Sequence, residues 1–252
     1  MGRVFATGDW HGCGIVGTKV LNYLQPDDRL YYIGDAIDRG PHGGYLLNKL
    51  LSDPRVIFIK GNHEEFFQDY MPKLLDSQDD PRDWDLDLWY SNGGRSTVQD
   101  FINHPEYDVK WCLHKVRQLS YEEKYNSPKG HQVILEHSGY TPGIQHRGHD
   151  PLWDREHFQD EWNTLYNNVY LVHGHTPVQY LKFRYGYINM PPLTKEEVEH
   201  QYDWYENRDY YTPHIIRYCG GGHKFNIDMC TIVSGRIALL DLDTFEEVYF
   251  DE

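Results

Sequence analysis

Five apolar, β-rich runs in this sequence end in side chains that can bind a metal or move a proton. VFATGD ends at Asp9 with His11 two residues on, RLYYIGD ends at Asp35, and RVIFIKGN ends at Asn62 with His63 next. QVILEHSG carries His137, and VYLVHGHT carries His173 and His175. Carboxylate, carboxamide and imidazole donors suit Mn²⁺, Fe or Zn²⁺ rather than Cu(I) or a thiolate cluster. They are too many for one tetrahedral ion; two ions about 3.5–4 Å apart, bridged by one carboxylate, would use them. Asp38 and Arg39 follow Asp35 closely and add a second carboxylate and a guanidinium.

Taken singly, each motif has a plainer reading. Gly-Asp-x-His-Gly is a turn, Asn62 with Glu64 can cap a helix N-terminus, and a single histidine is ordinarily a hydrogen-bonded core residue. Five in order, each behind a strand, point to one crevice at the carboxyl ends of neighbouring strands, where open α/β sheets place their chemistry.

The elements needed to build that crevice can be read from the pattern. Strands at 3–9, 29–35 and 55–61 alternate with helices near 15–25, 43–52 and 64–75, at βαβ spacing. Leu46, Leu47, Leu50 and Leu51 give the second helix one apolar face. An acidic, turn-rich stretch at 76–87 reads as a loop. Helices are expected over 91–103 and 106–125, strands at 132–137 and 169–173, and β structure from about 226 through NIDMCTIVS, RIALLDLD and EEVYF. This order predicts an α/β protein with two packed mixed β-sheets flanked by helices. The chain of 252 residues fits a single domain, 1–252. Its Tyr-rich stretch at about 180–225 reads as a packed insertion rather than a linker.

Composition narrows the partners. A net charge of -15 disfavours a nucleic-acid or anionic-membrane surface. A phosphorylated substrate stays open, because bound divalent cations reverse the local field. Four scattered cysteines without a C-x-x-C pair fit reduced thiols in the cytoplasm. No apolar run approaches the roughly 18 residues of a membrane span, and no signal peptide is expected.

GDWHG, GDAIDRG, GNHE, HSG and GHTP together resemble the signature motifs of the calcineurin-like metallophosphoesterase superfamily. The closest style is that of the compact bacterial and bacteriophage phosphoprotein phosphatases typified by lambda phosphatase. The resemblance covers about residues 3–178 and resumes from Asn226 to Cys230. It implies a four-layer αββα sandwich and two divalent metal ions, Mn²⁺ being expected and Fe or Zn²⁺ the alternatives. Asp9, His11 and Asp35 would hold the first ion, and Asp35, Asn62, His137 and His175 the second. A metal-bridging hydroxide would attack phosphorus, His63 would protonate the leaving alkoxide with Asp38 orienting it, and Arg39 would bind phosphate oxygens. Arg155, in Trp-Asp-Arg-Glu, resembles the family's second phosphate arginine. Trp89 with Asn92-Gly93-Gly94 is similar to a segment near the active site of bacterial members. Met229-Cys230 departs from the family's Thr-Gly, and Ser138 stands where a smaller residue is common. His173 reads as a core residue or as a support for the metal ligands.

The expected activity is hydrolysis of phosphate monoesters, on a phosphoserine or phosphothreonine protein or a small phosphoester. The alternative is a symmetrical dinucleoside tetraphosphatase on the same scaffold. Those enzymes tend to carry Ala where this chain has Asp38, which favours the phosphatase. The oligomeric state is left open.

Overall fold

The computed structural model describes residues 2–76, 86–144, 147–184 and 212–252. The expected acidic loop and most of the expected insertion fall outside them. Three parallel strands, β1 (Val4–Thr7), β2 (Arg29–Ile33) and β3 (Val56–Ile59), are linked by α1 (Gly14–Tyr23) and α2 (Gly43–Ser52). α3 (Asn62–Asp76), α4 (Asp87–Ser91), α5 (Gly94–Asn103) and α6 (Val109–Val116) follow. Then come β4 (Glu122–Asn126), β5 (Gln132–Glu136), β6 (Val169–His173), α7 (Val178–Arg184), β7 (Ile216–Tyr218) and β8 (Lys224–Asn226). The short α8 (Thr231–Ser234) leads into β9 (Arg236–Asp241) and β10 (Glu247–Asp251).

The strands form two five-stranded mixed sheets, in the orders β10-β9-β1-β2-β3 and β4-β5-β6-β8-β7. Side-chain alternation along each strand divides the core into two layers. Phe5, Leu30, Tyr32, Ile237 and Leu239 point outward and pack under α1–α3, α5 and α6. Val4, Ala6, Tyr31, Ile33, Ala238 and Leu240 point the other way and meet Val133, Leu135, Val172 and Phe225 of the second sheet. The two sheets therefore pack face to face with helices outside, as expected.

Two elements differ from the sequence reading. The helix expected over 106–125 stops at Val116, and β4 pairs antiparallel with β5 through the turn Ser127–Gly130. Its polar residues, Glu-Glu-Lys-Tyr-Asn, suit an edge strand and carry little apolar alternation. NIDMCTIVS is not one strand: β8 ends at Asn226, Cys230 takes φ 52°, and α8 begins at Thr231. Among the described residues, no helix is long and apolar enough to cross a membrane.

Candidate metal centre

The ends of β1 and β2 are followed by two turns hydrogen-bonded to each other. Asp9 N–H donates to Gly34 O (3.0 Å), His11 N–H to Asp35 O (3.0 Å), Gly12 N–H to Ala36 O (2.8 Å) and Gly40 N–H to His11 O (2.9 Å). Asp9, His11, Asp35, Asp38 and Arg39 all adopt positive φ, between 42° and 69°. This left-handed conformation is unfavourable for residues with a Cβ and persists only where the surroundings impose it. Gly12 is required, because a Cβ there would lie 2.5 Å from Gly40 O at φ 69°.

This backbone gathers the donors. Asp35 Oδ1 lies 3.4 Å from His137 Nε2, and Asp35 Oδ2 lies 3.7 Å from His11 Nε2 and 3.9 Å from His63 Nε2. Asn62 Oδ1 faces His137 Nε2 (2.9 Å) and His175 Nδ1 (3.0 Å). His175, at φ 65°, donates its backbone N–H to Asp9 Oδ1 (2.9 Å). Ligand atoms converge in two groups that share Asp35: His11, Asp35 and His63, and Asp35, His137 and His175. Asp9 lies beside these groups, held by the His175 N–H and within the field of Asp35.

These residues fit a pair of cations. His11 Nδ1 donates to Ile37 O (3.1 Å) and His137 Nδ1 to Ile33 O (2.8 Å), so each ring directs Nε2 toward Asp35, the nitrogen that would bind a cation once it carries no proton. Asp9 Oδ2 and His175 Nε2 are buried without a hydrogen-bond partner among the described residues, a costly arrangement that coordination would relieve. The charges agree. Burial, with Asp228 and Asp35 adding repulsion, raises the Asp9 pKa well above the usual carboxylate range. Burial opposes a charge on His137, but Asp35 and Asp9 prevail and lift it to about 10. Asp35 is itself held far below its ordinary value: burial works against the charge and is outweighed by His137, His63 and His11. A buried carboxylate cluster that captures protons in this way is one that divalent cations would neutralise.

Beside the donors stands a second constellation. His63 Nδ1 donates to Asp38 Oδ2 (2.7 Å), leaving Nε2 as an acceptor. Arg39 donates through Nη1 to His11 Nε2 (2.7 Å) and through Nη2 to His63 Nε2 (3.1 Å). Asp38 is anchored by Trp89 Nε1–H (2.8 Å to Oδ2) and Thr97 Oγ1–H (2.6 Å to Oδ1). Gly93, at φ 99°, lets α5 approach Arg39; a Cβ there would sit 2.6 Å from Arg39 N. The Trp89–Gly94 segment thus borders the site, with the Trp89 indole on Asp38.

Arg155 lies on the opposite wall, its Nε donating to Thr176 Oγ1 (3.0 Å), and its charge helps depress the buried His175. Trp153 stands edge-on to His175, with ring centroids 5.7 Å apart. His173 turns away: its Nε2 pairs with Tyr218 Oη at 2.7 Å on the outer face of the second sheet. Strand alternation would have put His173 and His175 on one face, but it ends at Gly174 and the positive φ of His175 redirects the second ring. Ser138 donates its Oγ–H to Asp150 O (2.9 Å), tying the turn after His137 to the Arg155 loop.

Two further acids belong to the site. Glu64 is fully buried and accepts from the N–H groups of Asp35 (2.8 Å), Ala36 (2.9 Å) and Gly61 (3.0 Å), which fixes the Asp35 turn. Burial and then Asp35 raise it to about 7. Asp228 is buried beyond β8, accepts from Cys230 N–H (2.8 Å), and is lifted to about 6 chiefly by burial. Glu64 was visible in GNHE and read as first-turn helix chemistry. Asp228 was visible in the Asn-Ile-Asp run, whose strand-like look concealed a turn.

Residues 2–179 match the model of the calcineurin-like phosphoesterase family. The chain belongs to that family, whose members hydrolyse phosphoesters with a dinuclear metal centre. No curated protein matches the sequence significantly. Among solved structures, a candidate diadenosine tetraphosphatase is 14% identical, with a TM-score of 0.57 over 100% of this chain and 94% of that one. A protein serine/threonine phosphatase from Saccharomyces cerevisiae is 12% identical, with a TM-score of 0.52 over 99% of this chain and 80% of its own. A cold-active protein-tyrosine phosphatase of a Shewanella species is 15% identical, with a TM-score of 0.54 over 99% of this chain and 77% of its own. At such identities the likeness is one of fold, and their substrates differ.

Proposed function

We propose that this protein is a phosphomonoesterase of the phosphoprotein phosphatase type that acts on phosphoserine and phosphothreonine. The observation that carries this reading is the Asp38–His63–Arg39 cluster beside the shared Asp35 carboxylate. We assign the first cation to Asp9, His11 and Asp35 and the second to Asp35, Asn62, His137 and His175, with Mn²⁺ the favoured ion. When bound, the two ions supply Lewis acidity toward water and the phosphoryl oxygens.

The protein's own groups account for the rest. Asp38 accepts from His63 Nδ1–H and so orients the ring; Nε2 is the second proton site, and the imidazolium gives its Nε2 proton to the departing seryl or threonyl oxygen, returning to the neutral ring. The Trp89 and Thr97 hydrogen bonds hold Asp38 against rotation. Arg39 spans His11 and His63 with two guanidinium N–H groups, a fork that matches two equatorial phosphate oxygens. Arg155 approaches from the other sheet and would grip the third. Two arginines suit a terminal, dianionic phosphate better than a diester. We take the chain as one domain, and its four cysteines, none of them in a disulfide, support a reducing, cytoplasmic setting.

The test is a Mn²⁺-supplemented panel of phosphoserine, phosphothreonine and phosphotyrosine peptides, diadenosine tetraphosphate and a cyclic nucleotide. The phosphoserine and phosphothreonine peptides should have the highest kcat/KM. Preferential hydrolysis of diadenosine tetraphosphate would transfer the protein to the nucleotide-cleaving branch.

A further inference from the structure

His149 lies outside the metal centre, and its contacts are specific. Its Nδ1 is 2.6 Å from Asp154 Oδ2 and its Nε2 is 3.0 Å from Glu136 Oε1. A neutral imidazole has one N–H; donation to two carboxylates takes both N–H groups of the imidazolium. Glu136 ends β5 and Asp154 immediately precedes Arg155. Asp154 also accepts from Glu156 N–H through Oδ1 (2.7 Å), so its carboxylate brackets Arg155 on both sides along the chain. Arg155 sits in irregular backbone between β5 and β6, where no strand or α-helix positions it.

We propose that His149 is a positioning residue for phosphate binding: as an imidazolium it clamps the Arg155 turn to the end of β5 through Asp154 and Glu136. The inference rests on the reading of Arg155 as a phosphate ligand. The surroundings favour the charged ring. Its hydrogen bond to Glu136 and then that to Asp154 raise it to about 9 against the effect of burial. Other groups facing it are the Tyr140 ring, 5.6 Å away, Glu122 beyond Glu136, and the neutral His157. The metal ligands are on other residues, so loosening the clamp should weaken phosphate affinity and leave metal binding intact.

The experiment compares wild type, His149→Gln, Asp154→Asn and the double variant, all Mn²⁺-loaded. Read-outs are kcat and KM on a phosphoserine peptide from pH 7 to 10, inorganic phosphate affinity by calorimetry, and metal content. His149→Gln should raise KM and the phosphate Kd about fivefold with kcat within twofold and full metal content. Asp154→Asn should do much the same, and the double variant should be no worse than either single one, since one clamp is removed in all three. In wild type, KM should climb as pH rises through about 9, and in His149→Gln that limb should be flat. An unchanged phosphate Kd in His149→Gln, additive effects in the double variant, or an identical alkaline limb in both proteins would overturn the clamp. Absence of phosphopeptide hydrolysis by wild type would defeat the functional reading instead, and the phosphate affinities would still decide the clamp.

Discussion

The two sheets contribute to the site in different ways. The first delivers Asp9, His11, Asp35, Asp38, Arg39, Asn62 and His63 from three consecutive strand ends, on turns cross-linked by backbone hydrogen bonds and gripped from below by Glu64. Its side chains are nearly all buried, and the turns after β1 and β2 are held in left-handed conformations. The second delivers His137 and His175 from strand ends but Arg155 from irregular chain, positioned by side-chain bonds to Thr176 and by the His149–Asp154–Glu136 bridge. A strained, interlocked turn gives the precision that the proposed proton transfer would require. Looser backbone would suffice for a guanidinium proposed to reach phosphate with a long side chain.

If that contrast is real, damage on the first side should fall on turnover and damage on the second on substrate affinity. The largest effect is expected for Asp35→Asn, which removes the shared charge: bound metal should drop and kcat should fall about a thousandfold or more, the loss of several kcal/mol of transition-state stabilisation. Metal analysis and circular dichroism of the same sample check it; full activity would remove Asp35 from the proposed metal ligands. Next comes His63→Asn, expected to keep its metal and to lose about 10²–10⁴ in kcat on a phosphoserine peptide. The loss should be smaller on p-nitrophenyl phosphate, whose leaving group needs no proton. Equal losses on both substrates would count against the acid role.

On the second side, Arg155→Ala should raise KM about 10–100-fold, the value of a charge-assisted hydrogen bond, with a smaller change in kcat. A KM that does not move would transfer the phosphate contact to another cation. An Arg155→Ala variant that lost kcat as steeply as His63→Asn would erase the distinction between the two walls.

The difference between the sheets also governs what the sequence discloses. Where strand, turn and helix are contiguous, as in GDWHG, GDAIDRG and GNHE, spacing alone places the donors, because the partners are set by local backbone. The two sheets and their helical flank were readable for the same reason. What lay hidden depends on remote partners. β4 looks helical until it pairs with β5, and Asp228 looks like strand until Cys230 turns the chain. His149 carries no local signal, because its partners Glu136 and Asp154 are brought to it across 13 and 5 residues. His173 is the core residue it reads as, buried against Tyr218, while His175 parts from it because period-two alternation lasts only as long as the strand.

The prediction furthest from the chemistry concerns the outer face of the second sheet. Lys224 is buried on its outer face, donating through Nζ to Thr141 Oγ1 (2.5 Å) and His157 O (2.8 Å) with His157 Nδ1 at 3.1 Å. Burial lowers its pKa to about 8, and Cys219, Asp160 and Asp154 offset this only in part. Because the folded pKa is below the unfolded value near 10.5, the folded state binds fewer protons than the unfolded chain between them, so stability rises with pH across that window. Below pH 8 the charged form costs about 3 kcal/mol, and this cost disappears by about pH 10.5. Denaturant unfolding at pH 7 and pH 10, in wild type and Lys224→Met, isolates the effect. Wild type should gain on the variant as pH rises, with the metal ligands untouched. A stability difference independent of pH would show that Lys224 is held by its hydrogen bonds at little electrostatic cost, and the second sheet would then be as tightly determined as the first.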